Sequence, residues 1–107
     1  MRGKLKLTPK DKIWAVSVKE RDGWRCVICG SDIRPNAHHI IPREQIDTKY
    51  DVRNGLTLCP KHHFFCRLIS AHNNPLGLFM WLQNNRPEQL EYCISKLEEI
   101  IEYDKIR

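Results

Sequence analysis

The sequence contains no long apolar run, and this absence narrows the classes of protein that it can encode. No segment of the 107 residues approaches the roughly 18 consecutive apolar residues that a membrane-spanning helix needs. The basic start, MRGKLKLTPK, is not followed by an apolar stretch with a small-residue cleavage site, so no secretory signal is predicted. We therefore expect a cytoplasmic protein that has no membrane partner.

The sequence also lacks internal repeats and low-complexity tracts. With 41% hydrophobic and 29% charged residues, it is typical of a folded globular protein, and we predict one domain over residues 1–107. In a reducing compartment the five cysteines are poor candidates for disulfides and better ones for metal ligands. A structural metal would help a chain this short, because its hydrophobic core can only be modest.

The positive charge is concentrated at the front of the chain. The net charge is +5, and the first 25 residues carry eight lysines and arginines against three acids. We predict a basic arm over residues 1–8, and Lys4, Lys6, Lys10 and Lys12 form a basic stretch able to follow a nucleic-acid backbone. A merely solvated surface is the alternative interpretation of this charge.

Local signals predict a helix after the basic arm. Thr8 followed by Pro9 is typical of an N-cap and a first helical residue. Trp14 and Val18 then share one face at helical spacing. Gly23 is expected to end this helix, so we predict a helix over roughly residues 9–21 within an N-terminal helix segment of residues 9–23.

A strand, loop, strand and helix are predicted within residues 24–72. AHHIIP is a short apolar run ended by proline and predicts a strand, and GLTLC predicts a second one. The polar segment REQIDTKYDVRN between them is expected to be an irregular loop in which Asp51 caps or hydrogen-bonds. KHHFFCRLI follows Pro60 and is expected to be helical. Trp24 is expected to be a core residue beside the first cysteine turn.

The tail, residues 73–107, is predicted to be helical. Asn74 and Pro87 precede or open its two helical segments. The last segment carries an apolar stripe that we expect to pack against the rest of the domain, with a homodimer interface as the alternative. The stripe consists of Leu90, Cys93, Ile94, Leu97, Ile100 and Ile101.

Four residues form a pattern typical of a closed zinc site. C-x2-C and C-x2-H pairs, about 30 residues apart, can present thiolates and an imidazole to one tetrahedral zinc ion and staple the segment between them. Cys66, one helical turn beyond His62, is the alternative fourth ligand, and Cys93 is expected to be a small core residue. The predicted ligands are Cys26, Cys29, Cys59 and His62.

Three further histidines and an asparagine stand near these ligands. His38 and His39 are adjacent on the first predicted strand, so their side chains point to opposite faces and cannot easily share one metal. His63 directly follows a predicted zinc ligand, which fixes its direction. Asn54 lies just before the second predicted strand, where its amide can bond to neighbouring groups.

The motifs HHIIPR and NGLTLCPKHH, preceded by WRCVICG, resemble those of HNH endonucleases with a structural zinc knuckle, of phage or bacterial type. The resemblance covers about residues 14–85. It implies an α+β fold with a ββα-metal (His-Me finger) core and structural zinc, flanked by an N-terminal helix and C-terminal helices. It also implies a metal-dependent endonuclease that hydrolyses DNA, double-stranded DNA above all.

The resemblance also implies a role for each residue of the motif. His38 and His63 would hold the catalytic divalent metal, and His39 would be the general base that activates water. Asn54 would steady the loop and orient the base. His62 stands where many members have a cysteine, a departure that bears only on the fourth zinc ligand.

This assignment is chemically coherent. A histidine that titrates near neutral pH is a suitable base for water, and a divalent metal can stabilise charge on the phosphate and the leaving oxygen. Mg²⁺, Mn²⁺, Ni²⁺ and Zn²⁺ all remain candidates. Arg43, Lys61 and Arg67 are the predicted nucleic-acid contacts, with plain surface charge as the alternative. His72 is expected at the surface, with a third metal-ligand role as the alternative.

Other functions stay open at this point. A zinc-knuckle module that binds nucleic acid without cutting it is the main alternative, and a structural or protein-binding zinc domain is a weaker one. RNA as the substrate is not excluded. No helix-turn-helix signature or long basic helix is present, so intrinsic sequence specificity is expected to be low. A homodimer or a phage packaging partner would be sources of added specificity.

Overall fold

The first helix begins where its capping signal predicts. The computed structural model of the protein describes residues 6–106, so most of the predicted basic arm, with Lys4, lies outside the described residues. Helix α1 spans Pro9–Arg21. The Thr8 hydroxyl accepts a hydrogen bond from the Asp11 amide, and the Asp11 carboxylate accepts one from the Thr8 amide. This reciprocal pair satisfies two amides of the first turn.

The helix predicted over roughly residues 9–21, with Gly23 as its stop, is confirmed. Gly23 and Trp24 both have a positive φ, 72° and 60°, which ends α1 in a turn. Trp24 is 44% exposed, so the expectation that it belongs to the core is wrong. The left-handed turn directs its ring to the surface, where Lys19 lies 5.1 Å from the ring centre.

Two antiparallel strands form the centre of the molecule. Strand β1 spans Asn36–His39 and strand β2 spans Gly55–Leu58, with His38 opposite Leu56 and His39 opposite Gly55. A Cβ on Gly55 would lie 2.5 Å from Val18 and 2.7 Å from Trp14, so glycine permits α1 to pack closely on β2. The apolar faces of Trp14 and Val18 are buried there, as the helical spacing predicts.

The loop between the strands is more regular than expected. It contains a short helix, α2, over Ile46–Lys49 and a 3-10 turn over Val52–Asn54. Asp51 caps the turn by accepting the Arg53 amide, which confirms its predicted local role.

The helix predicted after β2 is much shorter than expected. A π-helical turn spans Lys61–Phe65, and Cys66 already has extended backbone. The chain then folds back, because the amides of Ala71 and His72 donate to the carbonyls of His62 and His63. Strands and turn together make the ββα core of an α+β fold.

Two helices complete the described chain. Helix α3 spans Pro75–Asn85, with the Asn74 side chain capping its first turn, and helix α4 spans Pro87–Ile106. A Cβ on Gly77 would collide with the Leu68 carbonyl, so α3 lies directly against the segment after the π-helical turn. The main core cluster joins strand β2, the two turns that carry Cys26 and Cys59, and the tail helices. Its buried residues are Cys26, Leu56, Leu58, Cys59, Leu78, Leu82 and Leu90.

The apolar stripe of α4 is only partly core. Leu90 and Cys93 are buried, as predicted, whereas Ile94, Leu97 and Ile101 remain 40–47% exposed. The second half of α4 extends past the core, so the expectation that the whole stripe packs inward is wrong. Among the described residues, no helix combines the length and hydropathy that crossing a bilayer requires.

Candidate metal centres and active site

Among the described residues, two clusters of metal-ligating side chains each take one histidine from the π-helical turn, His62 in the first and His63 in the second. The first brings together the four residues that the sequence pattern selects for zinc, and Cys66 is not among them. The second joins His38 and His63 with His72. In each cluster the potential ligand atoms lie within 4.8 Å of one another.

The dimensions of the first cluster match a tetrahedral zinc site. The Cys29 and Cys59 sulfurs are 3.7 Å apart, and His62 Nδ1 lies 3.7 Å from the Cys26 sulfur and 3.6 Å from that of Cys59. Zn–S bonds of about 2.3 Å and a Zn–N bond of about 2.0 Å in a tetrahedron separate neighbouring ligand atoms by roughly 3.5–3.8 Å. The donor set and the spacing therefore fit a zinc ion that closes all four positions with protein ligands.

Backbone hydrogen bonds hold the first two ligands in place. The Gly30 amide donates to the Cys26 carbonyl, and a φ of 78° at Gly30 lets the chain turn tightly there. The Val27 amide donates to the Thr57 carbonyl, which joins this turn to β2. Partial burial is the largest cause that raises the pKa of the Cys29 thiol, so a bound cation would favour its thiolate form.

The second cluster takes one histidine from each of three segments. His38 comes from β1, His63 from the π-helical turn and His72 from the chain that folds back onto that turn. Nε2 of His63 and Nε2 of His72 are 3.2 Å apart, about the separation of two imidazoles on one divalent ion with bonds near 2.1 Å. The His38 ring centre lies 5.1 Å from that of His63 and 5.3 Å from that of His72.

Two of these imidazoles, those of His38 and His63, have a lowered pKa that favours the neutral form. Burial, helped by the nearby His63 and His72 rings, lowers the pKa of His38 to about 3. Burial and the neighbouring His72 lower the pKa of His63 to about 4. Neutral rings offer the lone pairs that a metal ion needs, so no proton has to leave the ring nitrogen when the metal binds.

His39 lies apart from this cluster, on the other face of β1. Its Nε2 is 2.9 Å from the Lys49 carbonyl oxygen, which can only accept, so Nε2 carries the proton and Nδ1 keeps its lone pair. The indole ring of Trp14 stacks on the imidazole at 3.8 Å with 6° between the planes. The Trp14 Nε1–H in turn donates to the Asp51 carbonyl at 2.8 Å. The tautomer and the plane of His39 are thus both determined by contacts.

The surroundings of His39 lower its pKa, which favours the unprotonated imidazole. Burial is the largest cause that lowers its pKa, and the positive charges of Arg43 and Lys49 lower it further, against the hydrogen bond to the Lys49 carbonyl. Both cations lie near Asp11, at 3.7 and 3.8 Å. Two cations and one acid therefore lie on the His39 side of the strand.

Asn54 does not touch His39 but holds the loop that does. Its Oδ1 accepts the Ile41 amide at 2.6 Å, and its Nδ2 donates to the carbonyls of Ile41 and Thr48 at 3.0 and 3.3 Å. The side chain is fully buried. Because Thr48 precedes Lys49, Asn54 connects the end of β1 to the carbonyl that binds His39.

Comparison with known protein families follows the same residues. Residues 26–65 match the model of a family described as HNH endonuclease. This segment is therefore similar to HNH endonucleases. The match covers less than half of the chain. It includes the four potential zinc ligands and also His38, His39, Asn54 and His63. No match was found among curated proteins or among solved structures.

Sequence reasoning undervalued two residues around the HNH segment. His72 lies outside the matched residues, and only the fold-back of the chain reveals its place beside His63. Trp14 was recognised as a core residue, yet its stacking on His39 depends on the approach of α1 to β1. The predicted nucleic-acid contacts Lys61 and Arg67 are both exposed.

Proposed function

We propose that this chain is a metal-dependent endonuclease that hydrolyses phosphodiester bonds of DNA, with double-stranded DNA as the expected form. The observation that supports it most is that the two faces of strand β1 differ. On one face His38 joins a cluster of three histidines, and on the other face His39 is held in one orientation with Nδ1 free to accept a proton. His38, His39 and His63 lie in the segment that matches the HNH endonuclease model, and His72 lies beyond it. This arrangement matches the two requirements of hydrolysis, a base for water and a site for a charge-stabilising ion.

In this proposal His39 is the general base. Its Nδ1 accepts a proton from a water molecule while Nε2–H stays bonded to the Lys49 carbonyl. The water oxygen forms a bond to phosphorus, and the bond from phosphorus to the 3′ oxygen breaks. That oxygen takes a proton from solvent, so the products carry a 5′-phosphate and a 3′-hydroxyl.

His38 and His63, with His72 as a third ligand, would hold the catalytic divalent ion. When bound, Mg²⁺, Mn²⁺, Ni²⁺ or Zn²⁺ would supply positive charge to the phosphate and the leaving oxygen. Three imidazoles would leave the coordination of such an ion incomplete, so substrate and water could bind to it as well. The separate cluster of Cys26, Cys29, Cys59 and His62 would hold structural zinc.

Basic side chains around the two faces would hold the nucleic acid. We assign Arg43 to the His39 side and Lys61 and Arg67 to the His63 side. Phosphate contacts of this kind give affinity without reading sequence, so we expect low intrinsic specificity. We also propose that the described helices and the HNH core form one nuclease domain.

Cleavage of supercoiled plasmid tests the proposal. The zinc-loaded protein should nick plasmid DNA when Mn²⁺ or Mg²⁺ is added, and His39→Ala should reduce the rate by at least about 100-fold. His72→Ala should raise the Mn²⁺ concentration required for half-maximal cutting and leave the zinc content unchanged. An exposed histidine with no role in metal binding would not shift this requirement.

Controls separate the outcomes. Nicking that survives in His39→Ala would indicate a contaminant or a different base. DNA binding without cutting in any of the four metals would support the non-catalytic zinc-knuckle module instead. Parallel reactions with single-stranded DNA and RNA establish the preferred substrate.

A further inference from the structure

A cleft beside the histidine cluster contains a cation and an aromatic ring that the proposed mechanism does not use. It has a volume of about 310 Å³, large enough for part of a nucleotide, and His63 forms part of its wall. Arg34 and Phe64 both line it. The lining residues are Arg34, Pro35, Asn36, Pro60, His63 and Phe64.

Arg34 combines an unpaired charge with a strained backbone. Its φ is 45°, a left-handed conformation that costs a residue with a Cβ about 1–2 kcal/mol, and the residue before a proline ordinarily favours extended backbone. Within residues 6–106 no hydrogen bond or ion pair engages its side chain, which is exposed. A strained residue that no internal contact rewards is typical of a site that binds a ligand.

Phe64 presents an aromatic surface at the same place. One face of its ring stacks on His72, with 5.0 Å between the ring centres and 14° between the planes, yet 45% of the residue remains exposed. An aromatic ring beside a guanidinium suits one nucleotide whose base has left the helical stack. Stacking on such a ring is favourable for every base, and arginine suits a phosphate.

We propose that this cleft binds one unstacked nucleotide next to the scissile bond, with its phosphate on Arg34 and its base on Phe64. This inference depends on the proposed nuclease function and adds a substrate class to it. DNA that already holds a nucleotide out of the stack, at a mismatch or in a single strand, binds better than a perfect duplex. Such DNA avoids the cost of unstacking a base.

Equilibrium binding tests the cleft without any cleavage. In a His39→Ala background, zinc- and Mn²⁺-loaded protein is titrated into labelled duplexes of one sequence that contain either a perfect pair, a mismatch or an abasic site. We expect the mismatched duplex to bind several-fold tighter than the perfect one, and the abasic duplex to lose this advantage. Phe64→Leu should abolish the preference and Phe64→Tyr should keep it, whereas Phe79→Leu, on an exposed ring outside the cleft, should have no effect.

Arg34→Gly separates strain from binding. Glycine adopts a positive φ freely, so the melting temperature should stay the same or rise. Affinity should nevertheless fall roughly tenfold for all three duplexes, with a shallower salt dependence, because one phosphate contact is lost. Lys105→Ala, in the last turn of α4, is the charge-loss control and should leave affinity within twofold.

The outcomes distinguish the two proposals. If the wild type cuts DNA but Phe64→Leu and Arg34→Gly bind all three duplexes as the parent does, the cleft proposal is wrong and the nuclease stands. If the wild type cuts no nucleic acid, the proposed function fails, whatever the cleft binds. A preference for the mismatch that survives in Phe64→Leu also overturns the cleft, because another surface then holds the base.

Discussion

Replacing Asn54 with alanine would remove three hydrogen bonds to the backbone from a side chain that water does not reach. The Ile41 amide and carbonyl would lose partners at 2.6 and 3.0 Å, and the Thr48 carbonyl one at 3.3 Å. An unsatisfied buried group costs about 1–3 kcal/mol, and the longest of these bonds is the weakest. We therefore expect Asn54→Ala to lower the free energy of unfolding by about 3–5 kcal/mol.

Urea denaturation of zinc-loaded protein, followed by tryptophan fluorescence, measures this loss. Asn84→Ala is the matched control, because Asn84 is exposed on α3 and its replacement should change stability by less than about 0.5 kcal/mol. Asn54→Asp should be about as damaging as alanine, since a carboxylate cannot donate to two carbonyls. A loss below about 1 kcal/mol in Asn54→Ala would refute the reasoning.

The same variant also tests how Asn54 serves the reaction. Its bond to Thr48 supports the carbonyl of Lys49, which holds His39. Under conditions where Asn54→Ala remains folded, kcat should fall while KM for DNA changes little. A change confined to KM would indicate that Asn54 acts on substrate binding and not on the base.

Three further predictions follow from the same contacts. Trp14→Leu should lower kcat at least about tenfold in the wild type, and it should have no further effect on a His39→Ala variant, because its ring acts through His39; additive losses would place its role elsewhere. Metal analysis should find about one tightly bound zinc per chain, and Cys59→Ser should lose it and unfold more easily; equal zinc content in both proteins would contradict the four-ligand site. Hydrogen bonds from Arg53 lower the pKa of Asp51 to about 2, so its stabilisation is complete above about pH 4 and is lost toward pH 2. The stability difference between wild type and Asp51→Asn should therefore shrink over that interval in urea titrations, and a constant difference would argue against it.

The parts of the fold that the sequence predicts best are those with a local cause. The Thr8 cap and the Asn74 cap follow from groups within a few residues of each other, and the strands β1 and β2 follow from the composition of each short segment. The four potential zinc ligands were also identifiable from spacing, because paired turns bring ligands together whatever the rest of the chain does.

The parts that were missed depend on contacts distant in sequence. The segment after Phe65 has helical composition, but the chain folds back so that Ala71 and His72 bond to the π-helical turn, and those bonds replace the predicted helix. The exposure of Ile94 and Leu97 likewise depends on how far α4 extends beyond the elements it packs against, which helical periodicity does not encode.

The contacts around β1 set the smallest piece of this chain that can be transplanted as a working unit. The family segment 26–65 would carry the base but not its stacking partner Trp14, and two of the clustered histidines but not His72. Helix α3 must also travel with it, because Asn74 and Gly77 pack on the returning loop that carries the third histidine. A graft into another scaffold should thus begin before α1 and end after α3, at about twice the length of the recognised motif.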